Sequence, residues 1–252
     1  MQLDTLSLII LFLSGIMAGF VDSIAGGGGI ITLPALLAVG LPPHQALATN
    51  KLQSSFGSFT SALNYTRLGL MNPKELIVGV IFTLIGAAIG AIVVQQFRAD
   101  FLVSLIIFML IAIFIYTLLT PNLGAIKKEH KMPHTLFYII FGLLIGFYDG
   151  FFGPGTGSFW TMALVLLIGL DLKAATAQTK LFNFTSNIVS LAVFIYSGLV
   201  VWLAGVVMGI GQIIGAFLGS TLVHKREVKF IRVFFLTVVA LTIIKLIYQY
   251  YF

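Results

Sequence analysis

Residues 22–29 read Asp-Ser-Ile-Ala-Gly-Gly-Gly-Gly, and residues 149–157 read Asp-Gly-Phe-Phe-Gly-Pro-Gly-Thr-Gly. Each stretch interrupts a long apolar run and carries an aspartate just before its glycines. Glycine runs weaken helices because the backbone loses more conformational freedom when it is ordered. Neither stretch continues into the Gly-Lys-Ser/Thr of a phosphate-binding loop or lies within a strand–helix–strand unit. The two stretches therefore predict a pair of helix breaks rather than a nucleotide site.

The apolar character extends over the whole chain of 252 residues, of which 59% are hydrophobic and only 9% are charged. A soluble domain normally has about 25% charged residues. Residues 101–126 and residues 184–223 contain no charged side chain, and about 20 apolar residues suffice to cross a bilayer. The composition predicts an all-α polytopic membrane protein, with the lipid bilayer as its partner. The net charge of +6 lies mostly in short loops, where it indicates topology rather than nucleic-acid binding.

The sequence repeats itself with an offset of 129 residues, which is the mark of an internal duplication. Matching positions are Gly40 and Gly169, Lys51 and Lys180, Gly86 and Gly215, Gly90 and Gly219 and, after a two-residue slip, Asp22 and Asp149. We expect residues 1–126 to form a first repeat, residues 127–132 a cytoplasmic basic linker and residues 133–252 a second repeat. Together they would make one transmembrane domain.

Each half contains about five apolar segments. Those of the first half are Leu6–Ile24, Ile30–Gly40, His44–Thr66, Pro73–Val94 and Asp100–Leu119, and those of the second are Pro133–Phe152, Ser158–Leu170, Lys173–Ser197, Leu199–Val223 and Glu227–Tyr251. The second segment of each half follows the glycine break. At 1.5 Å per residue it would be under about 20 Å long, too short to cross alone. The first two segments are expected to form either a hairpin that meets near mid-membrane or a thin crossing pair.

Positive charges in the predicted loops indicate the orientation, because Lys and Arg favour the cytoplasmic side. Of the 14 Lys and Arg residues, ten can be placed in the cytoplasm, Arg98 alone lies opposite and three lie within segments. The ten are Arg67, Lys74, Lys127, Lys128, Lys131, Lys173, Lys225, Arg226, Lys229 and Arg232. Equivalent loops then face opposite sides. The two repeats are therefore predicted to have inverted topology, with both termini outside the cytoplasm.

The glycine breaks are the first candidate for a binding site. Backbone groups freed inside a membrane persist only where protein buries them or where they line a wet cavity. The short helix after each break would direct its N-terminal N–H groups at that cavity. Broken helices between inverted repeats are typical of secondary-transporter sites. The alternative is close helix packing through small residues. The residues predicted to bind substrate here are Gly27, Gly28, Gly29, Gly155, Thr156 and Gly157.

Two lysines inside apolar segments are the second candidate. Lys51 and Lys180 each lie roughly seven residues into a long segment, where a buried charge costs at least about 2.5–3.5 kcal/mol. Snorkelling to the interface is the alternative, but polar neighbours favour a buried polar face. The substrate-binding residues predicted on this face are Lys51, Lys180, Asn50, Gln53, Thr179 and Asn183.

The aspartates that precede the breaks, Asp22 and Asp149, have three open interpretations. They could carry protons for coupling or gating, pair with the lysines, or cap the broken helices. No histidine spacing matches a zinc site, and no Gly-x-Ser-x-Gly nucleophile motif is present. We therefore expect no metal, no cofactor and no enzymatic activity.

At these two motifs the chain resembles the sulfite exporter TauE/SafE family of bacterial membrane permeases. The resemblance rests on residues 21–29, Pro34, residues 48–53, residues 148–157 and residues 179–181, and covers nearly the whole chain. It implies export of a small sulfur-containing anion, such as sulfite, thiosulfate or an organosulfonate, across the bacterial inner membrane. The second loop departs from a pure glycine run at Pro154 and Thr156, which argues against strict equivalence of the halves.

The predicted function is therefore a secondary transporter of a small anion, with a positive central site between inverted repeats that alternate in access. An anion channel is the closest alternative. A membrane assembly subunit and an intramembrane enzyme are the more distant ones. Homo-oligomerisation is left open.

Overall fold

A computed structural model describes residues 3–119 and 132–225 of the chain. These residues form helices connected by short turns, and no strand occurs among them. The helices are α1 (Thr5–Ala25), α2 (Gly29–Ala38), α3 (Pro43–Arg67), α4 (Ile77–Val94), α5 (Ala99–Leu119), α6 (His134–Phe151), α7 (Thr156–Ala163), α8 (Leu172–Tyr196) and α9 (Trp202–Lys225). A 3₁₀ turn at Pro73–Leu76 precedes α4, and a π turn at Leu164–Ile168 extends α7. The all-α prediction is confirmed.

Within residues 3–119 and 132–225, four segments are long and apolar enough to cross a bilayer. They are Thr5–Ile24, Pro73–Val94, His134–Phe151 and Trp202–Leu222, which comprise most of α1, α4, α6 and α9. Helices α3 and α8 are longer, at 25 residues each, but they carry many buried Asn, Gln, Ser and Thr residues. A polar helix of this length in a membrane protein belongs in the bundle interior, away from lipid. The chain is thus a multi-pass membrane protein with two polar helices inside it.

The packing order of the helices is symmetric between the two halves, with α1 equivalent to α6, α3 to α8 and α4 to α9. Helix α1 packs along α9, α9 against α3, α3 against α8, α8 against α4, and α4 along α6. Small residues allow the two outer pairs to approach closely. A Cβ at Gly215 would lie 1.9 Å from the carbonyl oxygen of Ile16, and one at the equivalent Gly86 would lie 2.3 Å from that of Leu143. This symmetry is what a duplication predicts, while the inverted orientation of the halves stays a prediction.

The two helices that follow the glycine breaks are short, as expected. Helix α2 has 10 residues, about 15 Å, and packs against α1 and α3. Helix α7 has 8 residues and packs against α6 and α8. Each break turns on a glycine with positive φ, Gly26 at 77° and Gly155 at 82°. A side chain is disfavoured at that φ, so glycine is needed where these helices end and begin.

Two predicted boundaries differ from the structure by more than two residues. Helix α9 begins at Trp202 rather than at Leu199, because Gly198 has a φ of 69° and the Val201 N–H donates to Thr49 Oγ1 of α3. The first four residues of the segment Pro73–Val94 are a 3₁₀ turn rather than α-helix. The predicted segment Glu227–Tyr251 and all but the last residue of the linker 127–132 lie outside the described residues. The division into two repeats therefore stays a prediction.

Candidate functional site

Two ion pairs join the halves reciprocally at the helix breaks. Lys51 Nζ of α3 lies 2.6 Å from Asp149 Oδ1 of α6, and the side chains are 1% and 4% exposed. Lys180 Nζ of α8 lies 3.1 Å from Asp22 Oδ2 of α1, and these side chains are 0% and 19% exposed. Each lysine of one half thus binds the aspartate of the other. The sequence left three roles open for the aspartates: coupling or gating, pairing with the lysines, and capping of the broken helices. Pairing with a lysine is the role that the structure shows in both halves.

The lysines also bind backbone carbonyl groups in the last turns of the helices that end at the breaks, and the Asp22 carbonyl oxygen accepts the Gly26 N–H as well. Lys51 Nζ donates to the Asp149 carbonyl oxygen, and Lys180 Nζ donates to that of Asp22. A cation near the carbonyl groups of the last turn of a helix is favoured by the helix dipole. Each ammonium therefore neutralises a side chain and a helix end together, which explains how a lysine is retained inside the bundle.

The second oxygen of each carboxylate distinguishes the two pairs. Asp149 Oδ2 accepts a hydrogen bond from Ser186 Oγ of α8. Asp22 Oδ1 accepts one from the Gly28 N–H of the first break, at 3.2 Å. The position equivalent to Ser186 is Gly57, which has no hydroxyl group to offer. Asp149 is therefore held within the bundle, whereas Asp22 is held by the loop and is the more exposed of the two.

Each short helix is tied to the polar helix of its own half by a threonine. Thr32 Oγ1 of α2 donates to Asn50 Oδ1 of α3, and Thr161 Oγ1 of α7 lies 3.1 Å from Thr179 Oγ1 of α8. The two contacts are related by the 129-residue offset. In the first half, Gln53 Nε2 donates to Thr32 Oγ1, Asn50 Oδ1 and Ser54 Oγ. These bonds fix the short helices beside the ion pairs.

The two breaks contact each other. A Cβ at Gly26 would lie 2.4 Å from the carbonyl carbon of Gly157, and a Cβ at Gly157 would lie 2.5 Å from Gly26 Cα. A Cβ at Gly29 would likewise lie 3.0 Å from Pro154 Cα. Any side chain here would push the loops apart, so the glycines allow both breaks to share one location.

A cavity lies where the breaks meet. The volume open to the centre of a water molecule is about 20 Å³, which suits water or a ligand of a few atoms. Its lining is polar and comprises Asp22, Gly26, Gly28, Gly29, Asn50, Lys51, Ser54, Asp149, Gly153, Gly155, Thr156, Gly157, Asn183, Asn187 and Gln212. Residues of both halves therefore enclose one central space.

Most of the predicted site residues line this cavity, and four do not. Gly27, Gln53, Thr179 and Lys180 are absent from the lining. Gln53 and Thr179 are buried and bind the threonines of the short helices, and Lys180 is buried in its ion pair with Asp22.

The charge of the site differs from the positive charge that the sequence predicts. Two lysines and two aspartates meet here, so the formal charge of the four groups is zero.

Sequence reasoning did not place Gln212 at the site. It lies within the apolar N-terminal two-thirds of helix α9, and it fits beside two glycines. A Cβ at Gly57 would lie 2.2 Å from Gln212 Oε1, and one at Gly19 would lie 2.9 Å from the same atom. The lone glutamine was the available signal, but its glycine neighbours come from distant parts of the chain. Ser54, Asn187, Gly26 and Gly153 also line the cavity without being predicted as ligands.

Across residues 3–119 and 132–225, no group of three or more His, Cys, Asp or Glu residues is placed to hold a metal ion. The chemistry available in the cavity is hydrogen bonding and ion pairing. Such a site can bind a small polar solute.

Comparison with known proteins agrees with this architecture. Residues 11–246 match the family model for the sulfite exporter TauE/SafE. The probable membrane transporter protein YfcA of Escherichia coli (strain K12) is 44% identical over 248 residues, covering 98% of this chain and 92% of that protein. The probable membrane transporter protein ORF9 of Sinorhizobium sp. is 42% identical over 225 residues, covering 89% and 86%. A probable membrane transporter protein of Haemophilus influenzae is 40% identical, covering 89% and 88%. The chain belongs to the sulfite exporter TauE/SafE family, a family of membrane transporters.

Proposed function

We propose that this protein is a secondary transporter that exports a small sulfur-containing anion, such as sulfite, thiosulfate or an organosulfonate. The two halves would alternate in access around the central cavity. The observation that carries this proposal is the meeting of both helix breaks and the reciprocal Lys–Asp pairs at one polar cavity. Broken helices at a repeat interface, deep in a membrane, are a recurring form of transporter site.

The donors around the cavity support an anionic substrate. An ammonium group has three N–H donors, and the contacts of Lys51 with Asp149 use two of them. The third is available to a ligand in the cavity that Lys51 lines. The N-terminal ends of α2 and α7 also line the cavity at Gly29 and Thr156, and the positive end of a helix dipole favours an anion. The family description adds sulfur specificity and export as the expected direction.

The enclosure of the site favours a carrier over an anion channel. A permanently open pore would leave its lining side chains accessible to water. Instead Lys51, Asp149, Asn183 and Gln212 are all buried, and the space between them is small. Passage of a solute would therefore require the halves to move apart on one side at a time.

The location proposed is the bacterial inner membrane, with both termini on the periplasmic side and the basic linker in the cytoplasm. The support is the bias of ten cations against one in the predicted loops. Proton coupling through Asp22 is proposed as the energy source, because it is the more exposed aspartate of the two. In this proposal Asp22 would bind a proton when its ion pair with Lys180 opens, and opening of the pair would accompany the alternating movement.

The test is transport by the purified protein in liposomes. Radiolabelled sulfite, thiosulfate and taurine would be supplied separately, with empty liposomes as the control. We expect saturable uptake of at least one anion, acceleration by unlabelled substrate inside the vesicles, and dependence on an imposed proton gradient. Unitary single-channel currents would contradict the carrier mechanism, and absence of uptake for all three would contradict the substrate class.

A further inference from the structure

Three buried carboxamide side chains face the cavity from the second half of the chain. Asn183 and Asn187 lie one turn apart on α8, and Gln212 lies on α9. They are 5%, 6% and 2% exposed. Residues four apart on a helix share one face, so the two asparagines present adjacent polar groups to the same space. All three belong to the cavity lining.

These carboxamides lack partners within the part of the chain that the structure describes. Asn183 Oδ1 is fully buried without a hydrogen bond. The side chains of Asn187 and Gln212 make no hydrogen bond to any described residue, whereas Asn50 Oδ1 on the opposite side of the cavity accepts from Thr32 Oγ1 and from Gln53 Nε2. Gln53 Oε1 is buried without a partner, but Gln53 does not line the cavity. A buried polar group without a partner is costly and is therefore rare. The unpartnered Asn183 Oδ1, with two further carboxamides around the same cavity, indicates a ligand or water that completes their bonding.

The arrangement is one-sided, which the duplication alone does not explain. The residues equivalent to Asn183, Asn187 and Gln212 are Ser54, Ser58 and Thr83 at the 129-residue offset. Ser58 Oγ donates to the Ser54 carbonyl oxygen of its own helix, and Thr83 is fully buried outside the cavity lining. At these three pairs of positions the longer side chains are therefore on α8 and α9, and the shorter ones on α3 and α4.

From these contacts we infer that Asn183, Asn187 and Gln212 form the specificity site for substrate, displaced toward the second half. The inference rests on the transporter function proposed above and adds the residues and the ligand chemistry. Because the four charged groups are already paired, neutral N–H donors can hold an oxyanion without breaking either ion pair. This assigns discrimination between substrates to the carboxamides, while both ion pairs stay intact and Lys51 adds only its remaining N–H to the ligand.

The carboxamides also define the class of ligand. Each offers two N–H donors and one carbonyl acceptor, so the site presents unused acceptors as well as donors. An oxyanion with a hydrogen-bond donor of its own satisfies both, whereas one without a donor leaves acceptors unpaired. The preferred substrate is therefore a small oxyanion that carries an O–H or N–H group, such as a protonated oxyanion or a hydroxy- or amino-substituted sulfonate.

The experiment measures binding, so it does not depend on transport. Isethionate and ethanesulfonate differ by one hydroxyl group, and each would be titrated against the full-length protein in detergent while thermal unfolding is followed. Asn187→Leu and Gln212→Met remove a carboxamide at similar volume. Ser58→Ala and Thr83→Val, at the equivalent positions outside the proposed site, are the matched controls.

We expect isethionate to bind the unmodified protein about tenfold more tightly than ethanesulfonate, in line with the cost of leaving one buried carboxamide acceptor unpaired. This preference should vanish in Asn187→Leu and Gln212→Met, which should unfold no earlier than the parent without ligand. Both controls should retain it. Equal or absent stabilisation by the two sulfonates, or an unchanged preference in both carboxamide variants, would overturn the inference. Absence of transport with this preference intact would instead overturn the transporter proposal.

Discussion

Lys51 on α3 and Asp149 at the end of α6 form an ion pair of 2.6 Å between Nζ and Oδ1, almost fully hidden from solvent. The pair connects the middle of one half to the break of the other, and Lys180 with Asp22 repeats the connection in the reverse direction. Because each half supplies the counter-charge for the other, neither half can bury its lysine alone. The ion pairs therefore couple the two halves at the place where the cavity lies.

We predict that Lys51→Met lowers the free energy of unfolding by about 3–5 kcal/mol, because it leaves the Asp149 carboxylate buried without its counter-charge. The double variant Lys51→Met with Asp149→Asn should recover most of that loss. The carboxamide introduced by Asp149→Asn would keep an acceptor for Ser186 Oγ. Unfolding of the purified variants in detergent measures both effects. A double variant no more stable than the single one would show that the pair is not the source of the loss.

Asp22→Asn should be less damaging to stability than Asp149→Asn, since Asp22 is the more exposed carboxylate. If Asp22 carries the coupling proton, this variant should retain exchange of labelled for unlabelled substrate. It should lose acceleration by an imposed proton gradient, because an amide cannot gain or lose that proton. Uptake by proteoliposomes with and without the gradient measures the difference. Full gradient dependence in Asp22→Asn would remove Asp22 from the coupling mechanism.

The contact between the two breaks gives a third prediction. Gly157→Ala should abolish transport, because its Cβ would lie 2.5 Å from Gly26 Cα and would separate the loops. The matched controls are Gly69→Ala and Gly198→Ala. Both glycines have a positive φ, 70° and 69°, and nothing lies within 4 Å of an added Cβ. They should lose only about 1–2 kcal/mol of stability from backbone strain and keep transport. Similar transport by all three variants would contradict the close approach.

The inverted topology can be tested by cysteine labelling, since the chain contains no cysteine of its own. Asn72 and Ser197 are exposed positions in equivalent turns, the first between α3 and α4 and the second between α8 and α9. We expect Asn72→Cys to be protected from a membrane-impermeant maleimide in intact cells and Ser197→Cys to react. Reaction of both variants, or of neither, would mean that the repeats are parallel.

The sequence alone was sufficient to predict where the breaks lie and that they converge. The glycine runs, the equivalent lysines and the distribution of loop charges are local or countable signals. They led to short helices α2 and α7 and to a shared central site, and the structure places Gly26 beside Gly157 accordingly. The long polar helices also follow from sequence, because polar residues around a lysine within an apolar chain predict burial.

The remaining features depend on contacts between distant residues. Nothing in the sequence near Lys51 indicates that its partner is Asp149 rather than Asp22, because both aspartates have equivalent surroundings. The placement of Gln212 likewise depends on Gly19 and Gly57, which lie far away in the chain. The sequence predicts a positive cavity. In the structure each lysine is paired with an aspartate, so these four groups have no net charge. Only the packed arrangement of α3, α8 and α9 reveals that Asn183, Asn187 and Gln212 line one cavity.

The central claim is that substrate passes through the cavity that the Lys51–Asp149 pair lines. The most direct measurement is counterflow of radiolabelled substrate in proteoliposomes that contain either the parent protein or the double variant Lys51→Met with Asp149→Asn. The double variant is expected to stay folded, because neither the lysine nor the aspartate is left buried without a counter-charge. It lacks both charges of the Lys51–Asp149 pair. We predict transient accumulation of label with the parent protein and none with the folded double variant. Equal accumulation with both would contradict the claim.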